Sequence, residues 1–104
     1  MGKYVVVYQG GRMGETEAEQ QEAMTAWMNW FGSLGADVAD PGAPFGPSAS
    51  VASDGSSVDG AGCGLTGYSI ITADSLSDAT AKAKGCPVLS AGGRLEVYEA
   101  IPMG

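Results

Sequence analysis

Carboxylates and tyrosines are the side chains of this sequence best suited to acid–base chemistry. The chain has 12 Asp and Glu residues, 5 Lys and Arg residues and no His. Alternation along the last predicted strand places Glu96 on one side with Arg94 and Tyr98, where burial of a carboxylate would have to be compensated. Glu96 is therefore a candidate general base, Asp40 is a second, and a tyrosine would donate the hydrogen bond. An Arg94–Glu96 ion pair is the alternative that the spacing allows.

Large aromatic residues predict a binding pocket between a sheet and a proline-rich loop. Trp27 lies on the inner face of a predicted helix, where packing on the sheet is the ordinary alternative role. Phe45 lies in a Pro-Phe-Gly-Pro segment, and irregular loops held by a rigid scaffold commonly carry binding residues. The strand residues depend on phase, because a slip of one residue moves a side chain to the other face. The predicted ligand-binding residues are Tyr8, Trp27, Phe45, Tyr68 and Glu96.

The sequence offers no recognisable metal or cofactor motif. The run from Gly60 to Gly64 precedes a strand and lacks the lysine and the following helix of a phosphate loop. The aspartates miss the spacing of a calcium loop. Cys63 and Cys86 have no histidine beside them to complete a zinc site, and we expect two reduced thiols. We therefore expect neither a metal nor an organic cofactor.

The charge balance limits the partners. A net charge of −7 repels phosphate backbones and anionic lipid headgroups, so we expect neither nucleic acid nor a membrane as partner. No apolar run approaches the roughly 20 residues that span a bilayer. The first residues lead straight into a strand instead of a signal-peptide segment, which predicts a cytoplasmic protein.

Hydrophobic patterning and turn residues predict the order strand, helix, two strands with a loop, helix, strand. Thr16 with Glu19, and Ser75 with Asp78, have the spacing of helix N-terminal caps, and Gly35 is placed to end the first helix. The segment 37–47 is predicted as a short strand that runs into an irregular loop. The strands are predicted at 3–8, 37–39, 48–53, 65–73 and 94–101, with an Asp-Gly turn after the third and a weakly structured segment at 56–64.

That order predicts an α+β fold of the ferredoxin-like βαββαβ type, with residues 1–104 as one domain and both helices on one face of an antiparallel sheet. The first strand is apolar on both faces, and 16% charged residues is a small share for a free surface. Association of two protomers, sheet to sheet, would cover the second face. We therefore expect a homodimer.

The last third of the chain resembles the YCII-related domain family, including its DGPF branch. The resemblance rests on Gly67-Tyr68-Ser69-Ile70-Ile71, on Ala73-Asp74-Ser75, on Gly85-Cys86-Pro87, and on Gly92-Gly93 before Glu96-Val97. Only the first half of the Asp-Gly-Pro-Phe motif is present, at Asp59-Gly60, and the His and Asp pair of another branch has no counterpart. The resemblance implies a dimeric α+β barrel and transfers no catalytic residue.

Two functions stay open at this point. The first is a homodimeric module that binds a small, partly apolar molecule or serves as an accessory to another protein. The second is a cofactor-free enzyme that uses a carboxylate such as Glu96 or Asp40 as general base. The missing histidines and metal ligands favour the first.

Overall fold

The computed structural model describes residues 2–11 and 14–103. These residues contain six strands and three α-helices. A 3-10 turn at Gly35–Asp37 joins the first helix to the second strand. The helices are α1 (Glu17–Leu34), α2 (Leu76–Ala83) and α3 (Pro87–Ser90). The strands are β1 (Gly2–Gln9), β2 (Val38–Pro44), β3 (Ala49–Val51), β4 (Ser57–Asp59), β5 (Leu65–Ala73) and β6 (Arg94–Ala100).

Four strands form an antiparallel sheet in the order β2-β5-β1-β6. The predicted α+β class is confirmed, and this strand order is compatible with a ferredoxin-like arrangement. The remaining strands, β3 and β4, pair with each other in a separate two-stranded sheet. Along the described ranges, no helix is long and apolar enough to cross a membrane.

All three helices contribute to one core on a single face of the sheet. Val6 of β1 and Ile71 of β5 are fully buried there, and they belong to the same hydrophobic cluster as Trp30 of α1, Ala79 of α2 and Val88 of α3. Residues alternate between the two faces of a strand, so the neighbours of Val6 and Ile71 point to the opposite face. Within residues 2–11 and 14–103, no helix packs on that second face.

The predicted helix caps are confirmed. Thr16 Oγ1 accepts a hydrogen bond from the Glu19 amide at 3.1 Å, and Ser75 Oγ accepts one from the Asp78 amide at 3.0 Å. Each cap satisfies one of the amide groups that the first helical turn leaves without a partner. Gly35 ends α1 with a φ of 57°, a left-handed value that glycine adopts without strain.

The proline-rich segment is more regular than the sequence indicates. We expected a short strand and an irregular loop over 37–47, but β2 continues to Pro44 along the edge of the sheet. An edge strand tolerates prolines because one row of its backbone groups needs no partner. Two register shifts accommodate the strand, and Gly42 has a φ of 76° at the second one. A Cβ atom at Gly42 would overlap the Tyr68 carbonyl oxygen.

The strand predicted at 48–53 is present over Ala49–Val51, but it lies outside the four-stranded sheet. Its residues form β3, which pairs with β4 as a hairpin. The Asp54-Gly55 turn between the two strands is confirmed, since the Gly55 amide donates to Ala52 O at 2.9 Å and Gly55 has a φ of 90°. The second strand of the main sheet comes from the proline-rich segment instead.

Candidate functional site

A cavity of about 420 Å³ lies between α1 and one end of the sheet. Its walls come from α1, from the end of β1, from the facing ends of β2 and β5, and from α3 with the residue after it. Among the described residues that line it, none is a carboxylate or a cation. The space is therefore suited to an uncharged, largely apolar occupant.

One stripe of α1 forms the helical wall of the cavity. Met24, Trp27, Met28 and Phe31 all line it, and their spacing of three, four and seven residues places them on one side of the helix. Met24 is 57% and Met28 69% exposed, so the two thioethers lie at the opening. Methionine side chains are flexible and polarisable, and they adapt to different apolar partners.

The sheet side of the cavity is open because residues without large side chains lie there. Gly67 of β5 is paired with Tyr8 of β1, on the face that the helices cover. A Cβ atom at Gly67 would lie 3.1 Å from Ala43 O, closer than most side chains pack, and 3.5 Å from Tyr8 Cδ2, an ordinary van der Waals distance. The absence of a side chain at Gly67 therefore leaves space beside the Tyr8 ring.

A chain of two hydrogen bonds holds the Tyr8 side chain in the wall of the cavity. Tyr8 OH donates to Ser69 Oγ at 2.7 Å, and Ser69 Oγ donates to Pro41 O at 2.7 Å. Burial raises the pKa of Tyr8 well above its ordinary value, and the hydrogen bond with Ser69 only partly opposes this. Tyr8 thus keeps its proton at neutral pH. It forms a fixed part of the cavity wall and does not act as a base.

Two of the predicted binding residues, Tyr8 and Trp27, meet in the cavity wall. Their ring centroids lie 5.0 Å apart in an edge-to-face arrangement at 80°. Trp27 also contacts Trp30 and Phe31, with centroid distances of 5.9 Å to each. The predicted alternative for Trp27, packing on the sheet, therefore holds at the same time as its position in the cavity.

The other three predicted residues belong to the uncovered face of the sheet. Tyr68 and Glu96 are both paired with Val7, so their side chains share the face opposite to that of Tyr8. The Tyr68 residue borders the cavity, and its ring stacks on Phe45 at 5.8 Å with an angle of 20°. Our expectation that all five residues bound one pocket is therefore corrected. The cause is the register of the strands. Tyr8 is paired with Gly67, so the adjacent Tyr68 points to the other face of the sheet.

Both carboxylates considered for catalysis lie outside the cavity lining. Glu96 is exposed, and its Oε2 accepts a hydrogen bond of 3.4 Å from Tyr98 OH. Asp40 is exposed, and its Oδ1 accepts a hydrogen bond of 2.8 Å from the Gly42 amide. Asp40 thus stabilises the irregular backbone of β2, a common role for aspartate in turns.

A wider cleft of about 740 Å³ lies between the start of α1 and the segment that follows α3. Glu15 and Glu19 are its charged lining residues, and Glu19 Oε2 already accepts a hydrogen bond of 3.2 Å from the Glu15 amide. Searched over residues 2–11 and 14–103, the chain holds no group of three or more His, Cys, Asp or Glu side chains placed to bind a metal. The smaller apolar cavity is the better candidate site.

Cys86 is buried in the core and Cys63 is exposed, and both are free thiols. Burial raises the pKa of Cys86 to about 11, so this thiol stays protonated at neutral pH.

No protein-family model, curated protein or solved structure matches this chain. The chemistry of the cavity therefore carries the functional argument.

Proposed function

We propose that the protein is a homodimeric module that binds one small, uncharged, largely apolar molecule per chain in the cavity between α1 and the sheet. The observation that carries this proposal is a cavity of about 420 Å³ without a charged side chain among its described lining residues. Small-molecule sites typically measure roughly 300–1,000 Å³ and are lined mostly by apolar and aromatic groups.

The homodimer is proposed from the uncovered face of the sheet. Val5, Val7 and Ile70 form an apolar patch on it, and Tyr98 beside them is 54% exposed. A second copy could cover this patch by packing sheet on sheet, the arrangement of a dimeric α+β barrel. The ferredoxin-like order of the strands and the resemblance to the YCII-related domain family support the same assembly.

Binding is preferred to catalysis because the described lining of the cavity contains no group that is a base at neutral pH. A general base must come within about 3 Å of the proton that it removes. Glu96 and Asp40 do not line the cavity, and Tyr8 keeps its proton at neutral pH. The apolar walls can hold a molecule by burying its surface, without any of these groups.

Titration with Nile red, an uncharged apolar dye, tests the proposal. We expect saturable binding of one dye per chain, with a change in tryptophan fluorescence because Trp27 lies in the wall. Met28→Glu places a charge at the opening and should lower the affinity at least fivefold. Asn29→Glu is the matched control, since Asn29 is exposed on the same helix and does not line the cavity.

Two results would contradict the binding proposal. One is dye binding that does not saturate, and the other is an equal loss of affinity in Met28→Glu and Asn29→Glu. Sedimentation equilibrium tests the assembly separately, and a monomer mass at micromolar concentration would contradict the homodimer.

A further inference from the structure

The β3–β4 hairpin, residues 48–61, is an arm that projects from the domain. All of its residues are exposed except Ser50, which is partly buried. Val51 is 71% and Val58 65% exposed. Val58 is paired with Ser50 and Val51 with Ser57, so the two valines lie on opposite faces of the hairpin. Each face of the arm therefore presents an apolar side chain to solvent.

The arm is well formed although it pairs with no other strand of the described residues. Ala52 N donates to Ser56 O at 2.7 Å, Gly60 N donates to Ser48 O at 2.7 Å, and Asp54 Oδ1 accepts from Ser56 N at 2.9 Å. A two-stranded hairpin without further packing is marginally stable at best in water. The described residues therefore form a hairpin that no further described strand stabilises.

The dimensions of the molecule agree with a projecting element. The radius of gyration is 15.1 Å, and the extents are 44 × 42 × 18 Å. A compact domain of this length has a radius of gyration of roughly 13 Å. The difference indicates that part of the chain lies away from the main body.

We propose that the arm embraces a second copy of this chain, and that the two protomers exchange arms reciprocally. This inference rests on the homodimer proposed above and adds the element that secures it. A closed two-fold assembly buries the same segment of both chains, so each contact forms twice.

The area of the sheet supports the need for such an arm. Four strands spaced about 4.8 Å apart, with seven residues at about 3.3 Å each, offer a flat footprint of about 400 Å². A stable interface of standard size buries about 800 Å² on each partner. A flat footprint of about 400 Å² is about half of that area, and a packed arm supplies additional surface.

The arm is acidic, and the uncovered face of the sheet presents two cations. The arm carries two carboxylates, Asp54 and Asp59, and no cation. Lys3 and Arg94 are exposed, and their register places both on the uncovered face of the sheet, where Glu96 also lies. Within the described chain neither cation makes an ion pair. Opposite charges on the two surfaces favour contact between copies of a protein whose net charge of −7 otherwise opposes it.

Sedimentation equilibrium of the full chain and of the Val51→Ser/Val58→Ser double variant tests the proposal. We expect a wild-type dimer and a dissociation constant at least tenfold higher in the double variant, with an unchanged far-ultraviolet circular dichroism spectrum. Leu76→Ser is the matched control, because Leu76 is 51% exposed on the helical side of the molecule and should leave the dissociation constant unchanged.

The outcomes separate the arm from the homodimer. A wild-type dimer whose dissociation constant is the same in the double variant overturns the arm and leaves the homodimer intact. A wild-type monomer at micromolar concentration overturns both the arm and the homodimer. Hydrogen exchange of the wild type provides a second measurement, with slower exchange of residues 48–61 expected above the dissociation constant than below it. Equal exchange at both concentrations also overturns the arm.

Discussion

Replacement of Ser69 by alanine should destabilise the protein strongly for the loss of a single oxygen atom. Ser69 is fully buried, and its hydroxyl accepts from Tyr8 OH and donates to Pro41 O, both at 2.7 Å. Ser69→Ala leaves the Tyr8 hydroxyl without its acceptor and the Pro41 carbonyl without this donor. An unsatisfied buried polar group costs about 1–3 kcal/mol. Because Pro41 is near the surface and water can reach it, we expect a total of about 2–4 kcal/mol.

Tyr8→Phe separates the cost of the unsatisfied Tyr8 hydroxyl from that of the unsatisfied Pro41 carbonyl. It removes the buried donor together with its hydrogen bond, while Ser69 can still donate to Pro41, so we expect a loss of only about 1 kcal/mol. The double variant has no buried tyrosine hydroxyl left without an acceptor. Its loss should therefore be smaller than the sum of the single losses by about 1–2 kcal/mol, as expected for groups in direct contact.

Urea unfolding at neutral pH and one fixed protein concentration measures these free energies. Ser77→Ala is the control, because Ser77 is exposed on α2 and its replacement should change the free energy of unfolding by less than about 0.5 kcal/mol. A Ser69→Ala variant within about 0.5 kcal/mol of the wild type would refute the reasoning. So would single losses that simply add in the double variant.

Three further predictions follow from the thiols and from β2. Burial raises the pKa of Cys86 from 9.0 to about 11, so the unfolded chain loses this proton first and stability falls as the pH rises from 9 to 11. The slope is at most about 1.4 kcal/mol per pH unit, and urea midpoints of Cys86→Ala should lack this component. A thiol reagent should modify exposed Cys63 quickly in the native protein and Cys86 only after denaturation, and equal rates would contradict this burial. Gly42→Ala should lower the free energy of unfolding by more than about 2 kcal/mol, because the added Cβ meets the Tyr68 carbonyl at a positive φ, and Gly46→Ala should not.

The helix ends and the central strands could be predicted because their determinants are local. Thr16 and Ser75 need only an amide three residues ahead, and Gly35 needs only its own freedom at positive φ. The β-branched and aromatic residues of β1 predict a strand whatever its neighbours are. These features follow from the sequence before any distant contact forms.

The course of β2, the position of the hairpin and α3 depend on distant contacts, and the sequence did not reveal them. Prolines normally argue against a strand. β2 lies at the edge of the sheet, where one row of backbone groups needs no partner, so prolines are tolerated there. No helix was predicted at the position of α3, although Pro87 is well suited to open a new turn. Pairing with β5 makes the proline-rich segment a strand, and α3 packs Val88 into the core.

The candidate site was half predicted for a related reason. The alternation of side chains in β5 and β6 could be read correctly, but the face of each strand follows from its register with β1. Tyr68 and Glu96 are both paired with Val7, so this register places them on the face opposite to that of Tyr8. Met24 and Met28 were missed although they follow the same helical spacing as Trp27 and Phe31. The prediction considered only the aromatic residues of this helix face, whereas the helical spacing alone indicates that both methionines belong to it.

The cavity and the arm lie at the same end of the sheet, and this links the two proposals. Phe45 N donates to Thr66 O at 2.9 Å where β2 and β5 continue towards the arm, and Thr66 lines the cavity. Gln9 Nε2 donates to Cys63 O at 2.7 Å and ties the returning strand to the end of β1. An arm held by a second copy would therefore order the backbone that borders the cavity. Any such coupling is reciprocal, so a molecule bound in the cavity would strengthen the dimer by the factor by which dimerisation strengthens its binding.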